Sequence, residues 1–317
     1  MQAEAAALPA ASAPESTLAR LAAYLAWPAL VLSSASILAF GFSSGHPAGL
    51  SDTLRKAWFF NLSYLWLLMW LLLLERRWPW RRAWQQSDGQ LPADLAHTLL
   101  DKGTVQMTII FLSGLPFFAS RGDGLVGSLP LAVQVAIGLV SAEFGLYWAH
   151  RLSHEWPVFW RFHAVHHSVR RLWIANTGRF HFIDSNISVL ASMPFMLATG
   201  ISMDAMIWVS AITAYLGLLT HCNINMRGGW LSYVFNTPNL HRWHHSPNPA
   251  EGNSNYGQNL VIWDQVFGTW LHRPDRELGV IGIVERMPRR FLQQLLVPFR
   301  WARFQAESTK ADPATLV

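Results

Sequence analysis

The sequence predicts an all-α integral membrane protein, with about four transmembrane helices plus a helical hairpin and a cytosolic, histidine-rich helical cap. Three observations predict it. Of 317 residues, 51% are hydrophobic and only 14% charged, against about 25% charged in a soluble domain. Seventeen tryptophans suit a chain with two membrane–water interfaces, where Trp gathers. Several charge-free runs approach the roughly 17–25 residues a helix needs to cross a bilayer. The net charge of +5 comes mainly from arginines. They flank apolar spans, so they read as headgroup contacts and not as a nucleic-acid surface. The single cysteine, Cys222, excludes an internal disulfide and a cysteine-held iron–sulfur cluster.

Residues 1–18 are Ala-rich and lack the basic start of a secretory signal, so they are expected to form a disordered tail. Residues 19–120 should hold the N-terminal transmembrane helices, with apolar runs at 21–42, 57–74 (including "WLLMWLLLL") and 103–120. A fourth run, 125–149, contains Glu143. Two shorter runs, 185–203 and 205–220, meet at Asp204 and fit a hairpin turning near Met203 and Asp204. The basic segment "ERRWPWRRAW" at 75–84 marks a cytoplasmic end. Alternating spans from there bring residues 150–185 and 221–317 to the same side. Residues 276–317 include "MPRRFLQQLLVPFRWARF", an expected interfacial helix broken at Pro298. "GDGLVG" at 122–127 matches a dinucleotide fingerprint but lacks its preceding strand, and reads as a turn.

Histidines carry the chemistry. His150 and His154 in "HRLSH" lie four apart and share a helix face. His163, His166 and His167 in "HAVHH" are spaced three and four apart, as are His241, His244 and His245 in "HRWHH". Each set aims its imidazoles at one point from one or two helical turns. His221 adds a ninth. Nine imidazoles exceed the four to six ligands of one first-row ion and suit two. Imidazole-rich, cysteine-poor coordination fits Zn, Cu, Fe or Ni, and ligand type alone leaves these open. His46, His97 and His272 are read as non-ligands. Glu143 lies two helical turns before His150, and an acid inside a span is functional by default, so it is expected to orient the site. Asp184 and Asp264 are further acids suited to hold ligand imidazoles. Asn223, Asn225, Asn239 and Asn255 are read as turn-capping residues.

The stretches "EFGLYWAHRLSHEWPVFWRFHAVHHS" and "TPNLHRWHHSPNPAEGNSNYGQNLVIWDQVFGTW" resemble the fatty acid hydroxylase / sterol desaturase superfamily of membrane di-iron enzymes, over about residues 90–272. The resemblance implies a catalytic domain, placed at 121–275, in which two irons activate O2 to hydroxylate or desaturate a lipid. Zinc can replace iron on purification. Carried onto this chain, the metal ligands are His150, His154, His163, His166, His167, His241, His244 and His245, with His221 matching the isolated histidine before the last box. Where the family often has "RFHP-x-E", this chain has "RFHFID". His181 is kept and stands beside Glu143 as a candidate catalytic residue, acting as a ligand or as support for one. Gly217 replaces a histidine found in many relatives four residues before His221.

The chain lacks flavin, haem and iron–sulfur motifs, so electrons should come from a separate donor: a ferredoxin, cytochrome b5 or a reductase. The substrate should be a lipid entering from the bilayer. Trp148, Trp156, Trp160, Trp173 and Trp243 are candidates for the walls of its path and equally for packing. Ala- and Arg-rich usage points to a bacterial inner membrane, with the endoplasmic reticulum as the eukaryotic equivalent. The alternative is a non-enzymatic metal-binding membrane protein or transporter. A transporter places its ligands near the bilayer midplane, whereas these histidines fall at span ends.

Overall fold

The computed structural model describes residues 16–43, 51–113, 125–276 and 278–310. The described residues fold as helices and turns, with two isolated β-bridges, Pro79–Ile224 and Phe235–Leu260. Seven longer helices form the body: α1 (Thr17–Ser43), α2 (Asp52–Arg77), α3 (Leu91–Ser113), α4 (Leu131–Glu155), α5 (Pro157–His167), α6 (Phe182–Ala198) and α7 (Met203–His221). Short helices follow: α8 (Pro238–His244), α9 (Pro249–Gly252), α10 (Ile262–Val266), α11 (Phe291–Leu296) and α12 (Trp301–Lys310).

Among the described residues, four helices are long and apolar enough to cross a membrane: α1, α2, α4 and α7. This set differs from the expected one. The run 103–120 is not an independent span in the described residues. Its helix, α3, begins twelve residues earlier and carries Asp94, His97 and Asp101 into the protein interior. The hairpin instead contributes a full-length helix, α7, beside the shorter α6. Its turn lies at residues 199–202, because Ser202 caps α7 by accepting from the Ala205 amide. Thr17 and Leu18, expected in the tail, already belong to α1, and residues 1–15 lie outside the described residues. So do His46 and residues 122–124 of "GDGLVG", whose Val126 and Gly127 enter a short 3-10 turn. The C-terminal segment breaks where expected, with α11 giving way to a 3-10 turn containing Pro298.

Packing explains how these helices converge. α1 lies along α2 and both touch α7, around Trp27, Leu38, Leu67, Leu71, Tyr215 and Leu219. Gly41 lets α1 approach α2, because any Cβ there would strike the Phe59 side chain. α4 packs on α6, where Gly145 lies against the Ala191 carbonyl and leaves no room for a Cβ. Lys56 bonds Asp204 at 2.7 Å, joining the starts of α2 and α7. The C-terminal ends of α2 and α7 therefore also lie together. Tyr256, in the cap, accepts from His150 near the end of α4, so the cap closes over the C-terminal ends of these helices. The apolar side chains left exposed, among them Leu25, Leu32, Trp58, Leu65 and Met69, form the kind of continuous apolar surface that monomeric soluble proteins avoid.

Candidate metal centre

α4 ends with His150 and His154 on one face, their ring centroids 5.3 Å apart. Pro157 at the first position of α5 is pre-set for a helix start and follows directly on α4. The chain thus turns back at once and brings His163 and His167 over the same point. The Nε2 atoms of His150 and His163 lie 3.0 Å apart, and those of His154 and His167 3.2 Å apart. α7 delivers His221 as its last residue. α8, opened by Pro238, delivers His241 and His244, with His245 as its cap.

The nine imidazoles fall into two adjoining groups. His150, His154, His163, His167 and His244 form one, and His166, His221, His241 and His245 the other; within each, one ring nitrogen from every residue lies within 4.8 Å of the others. His167 and His245 stack across the boundary, 4.3 Å between centroids. Eight of the nine are buried and His154 is half-buried.

Five of the outer ring nitrogens have carbonyl, carboxylate or amide-oxygen partners. His163 Nδ1 lies 2.8 Å from the Asp184 carboxylate, His150 Nδ1 2.6 Å from the Tyr256 carbonyl and His244 Nδ1 2.7 Å from the Ser254 carbonyl. In the second group, His166 Nδ1 faces the Arg179 carbonyl and His221 Nδ1 faces Asn176 Oδ1, both at 3.3 Å. An imidazole that donates from Nδ1 has a bare lone pair on Nε2. His150 and His163 therefore aim two lone pairs at each other across 3.0 Å, which repel unless a cation or proton lies between them. His244 Nε2 and His245 Nδ1 are buried with no hydrogen-bond partner. Ligand imidazoles bind at about 2.0–2.1 Å and donate their other nitrogen to a carboxylate or carbonyl. The residues present fit a metal ion in each group.

Burial, and then the neighbouring imidazoles, push the pKa values of His166, His167, His241, His244 and His245 well below the usual histidine value. Below about pH 6.5 the unfolded chain takes up protons that the folded one refuses, so stability falls with pH. Metal-free protein is expected to lose thermal stability progressively from about pH 7 towards pH 5, and divalent metal to restore it by binding the folded state. Melting curves across that range, with and without metal, check this.

Among the described residues, the hydrogen-bond partners of Glu143 are backbone and amide groups and not imidazoles. One carboxylate oxygen accepts from the Gln258 and Asn259 amides, the other from Asn259 Nδ2 at 2.9 Å. Asp264 accepts from the Tyr256 and Gly257 amides at 2.7 and 2.8 Å. The two acids pin the loop whose carbonyls receive His150 and His244. Asn255 in this loop has φ +52°, a left-handed conformation that asparagine tolerates. Glu143→Gln keeps an oxygen for the two amides and is expected to retain most metal. Glu143→Ala strands three donors, the two of Asn259 being buried, at about 1–3 kcal/mol for each buried one, and is expected to lose metal and thermal stability together. Metal content and melting temperature of the two variants separate these outcomes.

His181 lies outside both groups. It caps α6, accepting from the Ile183 amide, and its Nε2 faces the Leu295 carbonyl at 3.3 Å. His97 bridges the Phe180 carbonyl and Gln294 at 3.0 Å each, and His272 packs near Trp270 and Tyr233. Among the tryptophans, Trp160 covers His154 and His167 at 5.3 and 5.6 Å. Trp148 lines an apolar groove along α4, Trp173 stacks under Arg171, Trp243 is buried near Trp84, and Trp156 is exposed. The backbone carbonyls that face the ligands leave no trace in the pattern of side chains. Arg179, Ser254 and Tyr256 act this way and carry no sequence signal, whereas Asn176 acts through its side-chain Oδ1, from a residue type common in turns. Asn223 pairs with the Arg81 backbone, and Asn255 with the Leu240 and Leu271 carbonyls.

The sequence model of the family described as fatty acid hydroxylase matches residues 135–269, which contain every histidine of both groups. Ornithine lipid hydroxylase OlsE of Rhizobium tropici is 46% identical over 286 residues, covering 87% of this chain and 83% of that protein. Alkylglycerol monooxygenase of Xenopus tropicalis is 32% identical over 148 residues, 45% of this chain but only 31% of that protein. Delta(7)-sterol 5(6)-desaturase ERG3B of Gibberella zeae is 28% identical over 187 residues, 55% of each chain. No solved structure matches the chain significantly.

Proposed function

This chain belongs to the fatty acid hydroxylase family, and on that premise we propose that it hydroxylates a C–H bond of a membrane lipid at two iron ions, with O2 as co-substrate. The observation that carries the proposal is the pair of adjoining, buried histidine groups whose inner nitrogens face one another, while the Nδ1 atoms of His150, His163, His166, His221 and His244 are held from outside. His150, His154, His163, His167 and His244 would hold one ion, and His166, His221, His241 and His245 the other. When bound, iron supplies the O2 chemistry that no side chain can perform. The remaining work falls to the protein. Asp184, Asn176 and the carbonyls of Tyr256, Ser254 and Arg179 fix each ring's orientation and proton. Trp160, Phe180 and Tyr256 pack against the imidazoles and exclude water from them.

An apolar groove of about 410 Å³ between α4 and α6 is lined by Phe144, Trp148, Ala149, Leu152, Phe159 and Phe195, among others. Ala149 and Leu152 flank the His150 turn, so an acyl chain seated there would place its lipid beside the first group. Hydroxylation is preferred to desaturation because it needs one hydrogen abstraction. In this reading the cap faces the cytosol, as the arginine-rich end of α2 indicates, electrons arrive from a separate donor protein, and Leu292, Leu296 and Phe299, exposed beside Arg289, Arg290 and Arg300, rest in the membrane interface. Ornithine lipid, named for the 46% identical relative, is the substrate to test first. Iron-reconstituted protein in lipid nanodiscs, given a reducing system and 18O2, is expected to produce ornithine lipid heavier by one 18O atom. Iron-loaded, reducible protein that oxidises neither this lipid nor the host's extracted lipids would refute the proposal.

A further inference from the structure

Resting on the reading of the second histidine group as an ion site, we propose that Glu75 is its positioning residue, a buried carboxylate that clamps together the two chain segments holding His221. Glu75 sits in the last turn of α2, inside the basic segment that the sequence marks only as a topological signal. It is 7% exposed. Its Oε1 accepts from the Ile174 amide at 2.8 Å and from the Asn223 amide at 2.7 Å. These two amides belong to separate segments, and each segment reaches His221. Asn223 follows it by two residues. Ile174 opens the 3-10 turn whose Asn176 places Oδ1 3.3 Å from His221 Nδ1.

The surroundings reinforce one geometry. Arg242, between two ligands of "HRWHH", donates from Nη2 to the Cys222 and Ile224 carbonyls at 3.0 Å each. The segment after His221 is therefore held through its Asn223 amide by α2 and through its carbonyls by α8. Residues 78–81, which follow Glu75 closely, pair with it as well: Trp80 donates to the Asn223 carbonyl, Asn225 donates to the Trp78 carbonyl, and Pro79 bridges Ile224. Asn176 is fixed in turn by donating to the Arg171 carbonyl at 2.7 Å. Among the described residues no such contact runs from Glu75 to the first group, whose loop is held by Glu143 and Asp264. The two halves of the centre thus rest on different buried acids acting through backbone amides, Glu143 and Asp264 behind the first and Glu75 behind the second. Without the Glu75 oxygen two buried amides lose their acceptor, and His221 and Asn176 lose their common reference point.

The test uses full-length protein in detergent, as wild type, Glu75→Ala and Glu75→Gln. Glutamine keeps an acceptor oxygen for both amides. Hydrogen exchange on metal-free protein reads the clamp, and cobalt(II) titration reads the ion sites. In Glu75→Ala, peptides spanning 172–177 and 221–226 are expected to exchange faster while a peptide over 253–260 is unchanged. One of two cobalt sites should weaken about 10–100-fold, as expected for losing a partner behind a ligand. Glu75→Gln should behave as wild type in both readouts. The proposal is overturned if Glu75→Ala matches wild type, if both cobalt sites and all three peptides change together, or if Glu75→Gln is as impaired as Glu75→Ala. A wild-type chain that binds no cobalt would refute the metal reading, and the exchange data would still decide whether Glu75 clamps the two segments.

Discussion

His166→Ala and His244→Ala are each expected to reduce lipid hydroxylation by at least about 100-fold, beyond what removing a partner behind a ligand typically costs, while the chain still partitions into membranes. The two residues belong to different groups. His166 faces His221 and His245 at 4.8 Å between centroids. His244 faces His150 and His154 at 4.5 and 4.6 Å. Loss of either ring removes one of the converging nitrogens of its group. Membrane insertion should survive, because α1, α2, α4 and α7 carry the apolar surface and neither histidine lies on them. Metal content, membrane fractionation and product assay on each variant check the prediction. Normal turnover by either variant would remove that residue from the ligand set.

Asp184→Ala is the second large effect. The Asp184 carboxylate is buried, receives His163 Nδ1 at 2.8 Å and accepts from Ser153 at 3.3 Å. Alanine leaves a buried imidazole N–H without an acceptor, at about 1–3 kcal/mol, and frees the ring to turn its Nε2 away from His150. Metal affinity of the first group is expected to fall about 10–100-fold, with hydroxylation falling in parallel at limiting iron and recovering partly at high iron. Asp184→Asn keeps an oxygen acceptor and should fall between wild type and alanine. An iron titration of the three proteins, read by turnover and by bound metal, measures this. Unchanged affinity in Asp184→Ala would mean that His163 is oriented by packing alone.

The histidine groups were legible in the sequence because spacings of three and four put imidazoles on one helix face; the structure adds that prolines at 157 and 238 start the helices that carry two of the sets. The division of labour between neighbouring polar residues was less legible. In "RFHFID", His181 looked the stronger candidate, yet it opens α6 and spends its ring on Ile183 and Leu295. Asp184, nearly one turn into the helix, is the residue that reaches His163. Glu143 stands two turns before His150, a position from which the sequence expects it to orient the site. Its carboxylate reaches the centre through the 258–259 backbone, and that loop is over a hundred residues away in the chain. The run 103–120 marks only the apolar part of its helix, and residues 114–120 lie outside the described residues. Hydropathy marks where charge is absent, whereas α3 begins at Leu91 because Asp94 finds Arg179 at 2.7 Å and His97 finds Phe180 and Gln294. Those partners are distant in sequence, so no local window reveals them.

The most direct measurement is a crystallographic or cryo-trapped diffraction experiment at the iron absorption edge on the reconstituted protein. Two anomalous peaks are expected, one enclosed by His150, His154, His163, His167 and His244 and one by His166, His221, His241 and His245. A single peak, or iron bound anywhere other than among these rings, would contradict a two-ion centre built from nine imidazoles.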